Sequence, residues 1–320
     1  MIRILLLLLL LGLSAGAKAV CTATPPTSAT FGTVTSFAIN STPQNVNVPF
    51  SLTCDTVLNL LTVGDTVTMT YISAVPAAGT RAGMQRTGNT ADTIPTMLCG
   101  VNGCSSEVLT TAGSNTYTWS GDTLLSLLGS RTFTLPIYFR TVPGQSVAAG
   151  TYQTAVTLRF NWSICALGVA VCLSSQTGNV TFTVNVSITV TNDCSTISTP
   201  AVSFGSQALV ANFPTISQTI SLTCTKGSTY TVGINNGNNA NGSVRNMASG
   251  NNRMSYEIYK GTTSNRWGVS GAERWASTDS TSVSTDGLLR SYNYTAKVLT
   301  GQTTLPAGDY TDTLVVDVAF

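Results

Sequence analysis

The sequence predicts an all-β protein made of two antiparallel β-sandwich domains, the second lacking its last strand. Three observations carry that expectation. Apolar and polar residues alternate with a period of two, a repeat with matched anchors spans the chain, and the two copies end differently.

The alternation is strictest over residues 180–190. Val180, Phe182, Val184, Val186, Ile188 and Val190 are interleaved with Thr181, Thr183, Asn185, Ser187 and Thr189. Such a pattern puts one face of a strand in a core and the other in water. Val156, Leu158, Phe160 and Trp162 alternate likewise, as do Leu314, Val316, Val318 and Phe320. Asn/Gly-rich stretches such as 235–242 read as loops, and no segment carries a convincing helical stripe.

The N-terminus bears on what the cysteines mean. Met1-Ile2-Arg3 precedes an apolar run from Ile4 to Leu13 and small residues ending Ala17-Lys18-Ala19. A charged start, an apolar core and an Ala-x-Ala site predict a cleaved signal peptide over residues 1–19. The run is shorter than the roughly 20 residues a bilayer span needs. No later segment is long and apolar enough to span, so a soluble, exported mature chain beginning at Val20 is expected. Eight cysteines lie beyond the leader, and an even number in an exported chain favours disulfides. There is no histidine, the commonest metal ligand and general base. The close cysteine pairs lack the CxxC-like spacing of zinc sites, so neither metal nor cofactor is expected.

The whole chain has 15 Lys and Arg against 13 Asp and Glu. Arg3 and Lys18 belong to the leader, which leaves 13 of each sign. A neutral chain with no basic patch offers nothing to nucleic acid or an anionic membrane. Charged residues are 9% of the chain, against about 25% in ordinary soluble proteins. The abundance of Ser, Thr, Val, Gly and Asn suits strands joined by turns.

The repeat sets the domain count. Cys21 … Phe31-Gly32 … Ser51-Leu-Thr-Cys54 recurs as Cys194 … Phe204-Gly205 … Ser221-Leu-Thr-Cys224. Downstream, Ala149-Gly150-Thr151-Tyr152 recurs as Ala307-Gly308-Asp309-Tyr310, each followed by a strand. The expected domains are residues 20–192 and 193–320. By analogy between the copies, Cys21 pairs with Cys54 and Cys194 with Cys224. Cys99–Cys104 and Cys165–Cys172 would then close small loops, with crossed pairing left open.

Placing Tyr152 on Tyr310 sets Val156, Leu158, Phe160 and Trp162 on Leu314, Val316, Val318 and Phe320. The first copy continues beyond this point into the 180–190 strand, and the second has no counterpart. A sandwich without an edge strand exposes core side chains and unpaired backbone. The physical remedy is a strand from another protein. Cys21 falls directly after the expected cleavage point, so no donor extension precedes the first domain. Such a chain would accept a strand and have none to give, as at the distal end of a fibre.

The Cys … Phe-Gly … Ser-Leu-Thr-Cys start and the Pro306-Ala-Gly-Asp-Tyr-x-Asp312-x-Leu-x-Val ending resemble the spore coat protein U domain. That domain is found in pilins of archaic, Csu-type chaperone–usher pili. The resemblance covers the whole mature chain; the second copy follows the pilin pattern well and the first departs from it through insertions. Two copies behind one signal peptide resemble the tip adhesins of such pili. The resemblance implies immunoglobulin-like domains, delivery by a periplasmic chaperone through an outer-membrane usher, and a place at the pilus tip on the cell surface. It also implies a role in attachment and biofilm formation. On it, Leu314, Val316, Val318 and Phe320 would form the groove for the chaperone and later for the donor strand of the next pilin subunit.

Three apolar stretches in the first domain have no clear counterpart in the second. They hold Val57, Leu58, Leu60, Leu61 and Val63; Leu124, Leu125, Leu127 and Leu128; and Ala166, Leu167, Val169, Ala170 and Val171. Taken singly, each reads as ordinary core, and 124–128 as one turn of buried helix. Together, flanked by turn residues, they are expected to cluster and bind hydrophobic surfaces. A second reading is a lectin using Tyr117, Trp119, Asn161 and Trp162, although Trp162 aligns with a core position. A third is a structural coat or fibre subunit without a ligand. An enzyme is not expected. The first domain's acids are Asp55, Asp65, Asp92, Glu107 and Asp122, and it has no lysine. The second domain's acids, among them Asp279, Asp286, Asp309, Asp312 and Asp317, are scattered along turns and strands and read as solvated surface.

Overall fold

The computed structural model describes residues 20–55, 64–129, 131–168 and 172–320. The leader over 1–19 and the stretches 56–63 and 169–171 lie outside them. The chain divides into two compact units. One comprises the residues up to Val34 with Ser41–Gln145 and Gly150–Thr189; the other comprises Thr35–Asn40, Ser146–Ala149 and Val190–Phe320.

The first unit holds β1 (Cys21–Thr24), β2 (Ser28–Thr35), β3 (Asn45–Cys54), β4 (Thr66–Val75), β5 (Ala77–Ala78), β6 (Arg81–Arg86) and β7 (Asn89–Cys99). It continues with β8 (Glu107–Val108), β9 (Thr116–Ser120), β10 (Thr132–Thr141), β11 (Gly150–Gly168) and β12 (Cys172–Thr191). A short helix, α1 (Ser36–Ser41), which falls almost wholly in the second unit, follows β2 in the chain, and a second, α2 (Gly121–Leu125), follows β9. In one layer β3 lies between β1 and β10, and β10 next to β7. In the other, β4 pairs with β9 and β11, and β12 lies between β11 and β2. Phe50 of β3 stacks across the layers on Phe160 of β11, ring centroids 4.0 Å apart, and Phe182 of β12 packs within 6 Å of both.

The alternation explains the packing. Phe133, Leu135, Ile137 and Phe139 of β10 are buried, as are Val156, Leu158, Phe160 and Trp162 of β11. Val184, Val186, Ile188 and Val190 of β12 are buried with them. Each such side chain contributes about 1.5–3 kcal/mol through its removal from water.

One close approach fixes the β11–β12 register. A Cβ at Gly178 would lie 2.4 Å from Trp162 Cζ2, so a residue without a Cβ is what fits against the ring there. Thr157 and Thr183 are in hydrogen-bond contact, Oγ1 to Oγ1 at 3.3 Å. Both contacts fit one antiparallel pairing, in which Leu158 faces Phe182. Gly178→Ala is expected to destabilise the first unit by about 1–3 kcal/mol through overpacking. Urea unfolding followed by Trp fluorescence would check it; an unchanged midpoint would refute the packing account.

The second unit repeats the plan with β13 (Cys194–Ser198), β14 (Ile216–Cys224), β15 (Thr231–Ile234), β16 (Arg245–Ser249) and β17 (Asn252–Lys260). After them come β18 (Trp275–Ala276), β19 (Ser282–Val283), β20 (Leu289–Val298) and β21 (Val316–Ala319). One sheet runs β13-β14-β20-β17-β16 with β19 beside β20, and the facing sheet runs β18-β15-β21. Between them pack Leu222, Val232, Trp267, Tyr292 and Ala296, all 0% exposed. In each unit the first strand is stapled to its neighbour, Cys21–Cys54 across β1–β3 and Cys194–Cys224 across β13–β14. Cys99–Cys104 and Cys165–Cys172 close the smaller loops. The repeat extends to a sheet crossing. Tyr152 and Gln153 pair with Arg86 and Gln85 of β6, and Thr311 bridges to Ala248 of β16.

The units part company at the last strand. In the first, β2 is a strand because β12 pairs with it. In the second, the counterpart stretch 201–207 forms no strand. Among the described residues β21 pairs only with β15, leaving its other edge without a ladder.

Candidate functional site

Between the open edge of β21 and the stretch 197–204 runs a groove of about 670 Å³. One wall is Ile197, Val202 and Phe204, and the other is Tyr310, Leu314 and Val316. The floor is Ile220, Ile234, Ile258 and Tyr294 from the two sheets. A second cavity of about 530 Å³ continues past Phe204 and Tyr310, lined by Val210, Phe213, Met247, Met254 and Leu305. A trough of this size bounded by an unpaired strand edge can seat an extended peptide, with backbone hydrogen bonds along the edge and side chains into the floor.

Asp312 holds the far wall in place. Its Oδ1 accepts from the backbone N–H groups of Asn238 and Asn239, at 2.9 and 3.2 Å, and its Oδ2 from the Tyr256 hydroxyl at 2.8 Å. Burial, reinforced by that carboxylate, pushes the Tyr256 phenol above its ordinary value, so it stays protonated and donates. Gly237 permits the approach, since a Cβ there would meet Asp312 Oδ2 at 1.9 Å. The side chain of Asn235 adds a second tie, its Oδ1 accepting from Val315 N at 2.9 Å.

In the first unit the described residues around the insertions make the following contacts. Cys54 N donates to Arg131 O at 3.0 Å, where the chain leaves β3. Re-entering at β4, Thr66 pairs with Ser120 of β9 and with Ser163 of β11. Asp65, itself buried, accepts from Cys165 N at 2.7 Å. Cys54 and Asp65, which flank the stretch 56–63, thus lie next to Arg131 and to Cys165 of the Cys165–Cys172 bridge.

The Spore Coat Protein U domain matches the sequence over residues 8–159 and 180–317. The chain belongs to the spore coat protein U domain family. Among solved structures, it resembles the CsuE tip adhesion subunit of archaic chaperone–usher Csu pili of Acinetobacter baumannii, crystallised with the chaperone CsuC. The two share 22% identity and a TM-score of 0.61 over 93% of this chain and 100% of that one, a likeness of fold. The CupB6 tip adhesin from Pseudomonas aeruginosa matches with 12% identity and a TM-score of 0.36, over 94% of this chain and 93% of that one. No curated protein sequence matches.

The structure distributes the residues expected from the sequence unevenly. Leu314 and Val316 line the groove; Val318 pairs with Val232 on β15, and Phe320 meets Tyr230 edge-on at 5.7 Å. The opposite wall, Ile197, Val202 and Phe204, had no place in the expectation. Of the predicted loop residues, Val57, Leu58, Leu60, Leu61, Val63, Val169, Ala170 and Val171 lie outside the described residues. Ala166 and Leu167 are placed by backbone only, on the last part of β11. Leu124 requires correction. It is 0% exposed, because α2 turns it into the core, so it is not available to a surface. Leu125 is exposed, and Leu127 and Leu128 are half-buried. The aromatic set Tyr117, Trp119, Asn161 and Trp162 forms no sugar platform, since Trp119 and Trp162 are both buried.

Proposed function

We propose that this chain is the adhesive tip subunit of a chaperone–usher pilus, exported through the periplasm and carried on the cell surface. One contrast carries the reading. Val156, Leu158 and Phe160 of β11 are fully buried and Trp162 nearly so, with β12 beside them. Their counterparts Leu314, Val316 and Val318 are half-exposed, and Phe320 is 57% exposed. A soluble domain that leaves such a row open calls for a strand from a partner. In this role a periplasmic chaperone covers the groove first. The donor strand of the next pilin subunit then replaces it at the outer-membrane usher.

The first unit supplies the contact with the target. In this reading its three apolar insertions present Leu and Val side chains to hydrophobic surfaces. Burial of apolar area there contributes about 25 cal/mol per Å² before the cost of association, and many tips per cell compound weak contacts. Attachment and biofilm formation follow from that. Changing Leu60, Leu61, Leu127, Leu128, Leu167 and Val169 to Ser or Thr is expected to lower attachment to a hydrophobic plastic on the order of tenfold or more, with pili still assembled. Full attachment by such pili would sink the loop assignment.

A further inference from the structure

We infer that Asp55 is the seat of the α-ammonium that removal of the leader creates at Val20, so that processing completes the first strand with an ion pair the precursor cannot make. This rests on the reading of residues 1–19 as a cleaved leader. Three contacts fix the corner. Cys21 faces Cys54 in the β1–β3 register and is bridged to it. One residue beyond that staple, Asp55 N donates to Val20 O at 3.3 Å. Val20 N in turn donates to Asp55 Oδ2 at 3.1 Å. The nitrogen that cleavage would free is thus already aimed at a carboxylate.

The repeat supplies a comparison within the molecule. In the second unit Asp193 precedes Cys194 and Thr225 follows Cys224. Thr225 N donates to Asp193 O at 2.9 Å, and Asp193 N donates to Thr225 Oγ1 at 2.8 Å. Both copies therefore make the same two bonds, with one chemical difference. Where the donor nitrogen stays inside the chain, its acceptor is a neutral hydroxyl on a residue only 2% exposed. Where the donor follows the Ala-x-Ala site, the acceptor is a carboxylate. A peptide N–H needs only a lone pair, which a hydroxyl provides. An ammonium brings a full charge and three donors, and a carboxylate answers both.

The surroundings leave Asp55 to that role. Among the described residues no Lys or Arg side chain forms an ion pair with it. Val20 is 54% exposed, so the pair forms without the desolvation cost of a buried one and carries the strength of a surface pair. Residues added ahead of Val20 would keep its N–H and carry the charge away. The first strand is therefore sensitive to where the leader is cut.

The test uses the full chain, exported and processed, in four forms. These are the wild type, Asp55→Asn, a chain with Gly-Ser inserted between Ala19 and Val20, and the two changes combined. Mass spectrometry of the N-terminal peptide reads the cleavage point in each. Asp55→Asn is expected to lower the melting temperature of the first unit by about 1–3 °C when Val20 is the first residue. In the extended chain it should cost less than half as much, and 1 M salt should shrink the difference between the two backgrounds. An equal loss in both backgrounds would make Asp55 a plain hydrogen-bond acceptor and overturn the ion pair, as would no loss in either. A wild-type chain that begins elsewhere than Val20 would overturn the leader boundary and the pair with it. A start at Val20 without coupling would remove the pair alone.

Discussion

Replacing Arg245 by alanine is expected to destabilise the second unit by about 3–5 kcal/mol, the usual consequence of stripping a buried charge of its partner. The Arg245 side chain is 0% exposed. Its Nη2 donates to Ile234 O at 2.7 Å and Trp267 O at 2.8 Å, its Nε to Asn235 O at 2.9 Å, and its Nη1 to Glu257. Glu257 also accepts from Arg266 Nε at 2.7 Å and from Ile258 N at 2.9 Å. Alanine would leave three carbonyls and a carboxylate oxygen without that donor in a dry interior. Lysine is expected to recover little, since one ammonium cannot span acceptors that a planar fork reaches together. The loss would reach the groove, because Asn235 N also donates to Val315 O at 3.0 Å, at the head of β21. Urea unfolding of the chain, with two transitions fitted separately, measures the effect. Arg253→Ala, on the exposed face of β17, should stay within about 0.5 kcal/mol of wild type. A similarly small change for Arg245→Ala would refute the role assigned to the network.

That network shows where sequence reasoning stops. The acids of the second unit, scattered along the chain, read as solvated surface. Glu257 is nevertheless 9% exposed, and Asp312 is tied to Tyr256 and the 237–239 turn. Their partners lie far away in sequence, so no local pattern announces the burial. Arg245 pairs with Tyr256 between β16 and β17, which brings Glu257, the next residue on β17, within reach of its guanidinium. The strands were easier. Every inward residue of 180–190 follows a period of two, and the repeated Cys, Phe-Gly and Gly-x-Tyr anchors transfer from one unit to the other.

The groove was half legible for the same reason. The wall at Leu314 and Val316 alternates, so its inward face can be read directly. The wall at Ile197, Val202 and Phe204 is broken by Pro200, which follows the end of β13 at Ser198, and 201–207 forms no strand, so no continuous alternation marks it in the sequence. In the first unit β12 pairs with the counterpart β2, which is regular. The run 124–128 reads both as one turn of buried helix and as part of an apolar surface, and the helix over 121–125 follows the first reading at Leu124. A run of four leucines around one serine suggests a uniform apolar tip, but a helical turn sends Leu124 inward and Leu125 outward.

Removing the Cys194–Cys224 bridge by a double alanine substitution is expected to lower stability by about 3–4 kcal/mol, on the loop-closure account of disulfides. The two cysteines are 30 residues apart, so the open chain regains much freedom. Cys99–Cys104 spans a separation of 5, for which the same account gives about 2 kcal/mol. The larger effect has a structural address. Cys194 faces Cys224 directly in the β13–β14 register, and Ile197 and Ser198 follow on the same strand, opposite Leu222 and Ser221. The bridge therefore pins the strand that leads into the groove wall at 197–204. Its loss should lower the stability gained from a strand of alternating apolar residues appended after Phe320, as well as the midpoint in urea. If the bridge removed only chain entropy from the unfolded state, the midpoint would fall while that gain held. Measuring both on one double mutant separates a staple from a wall.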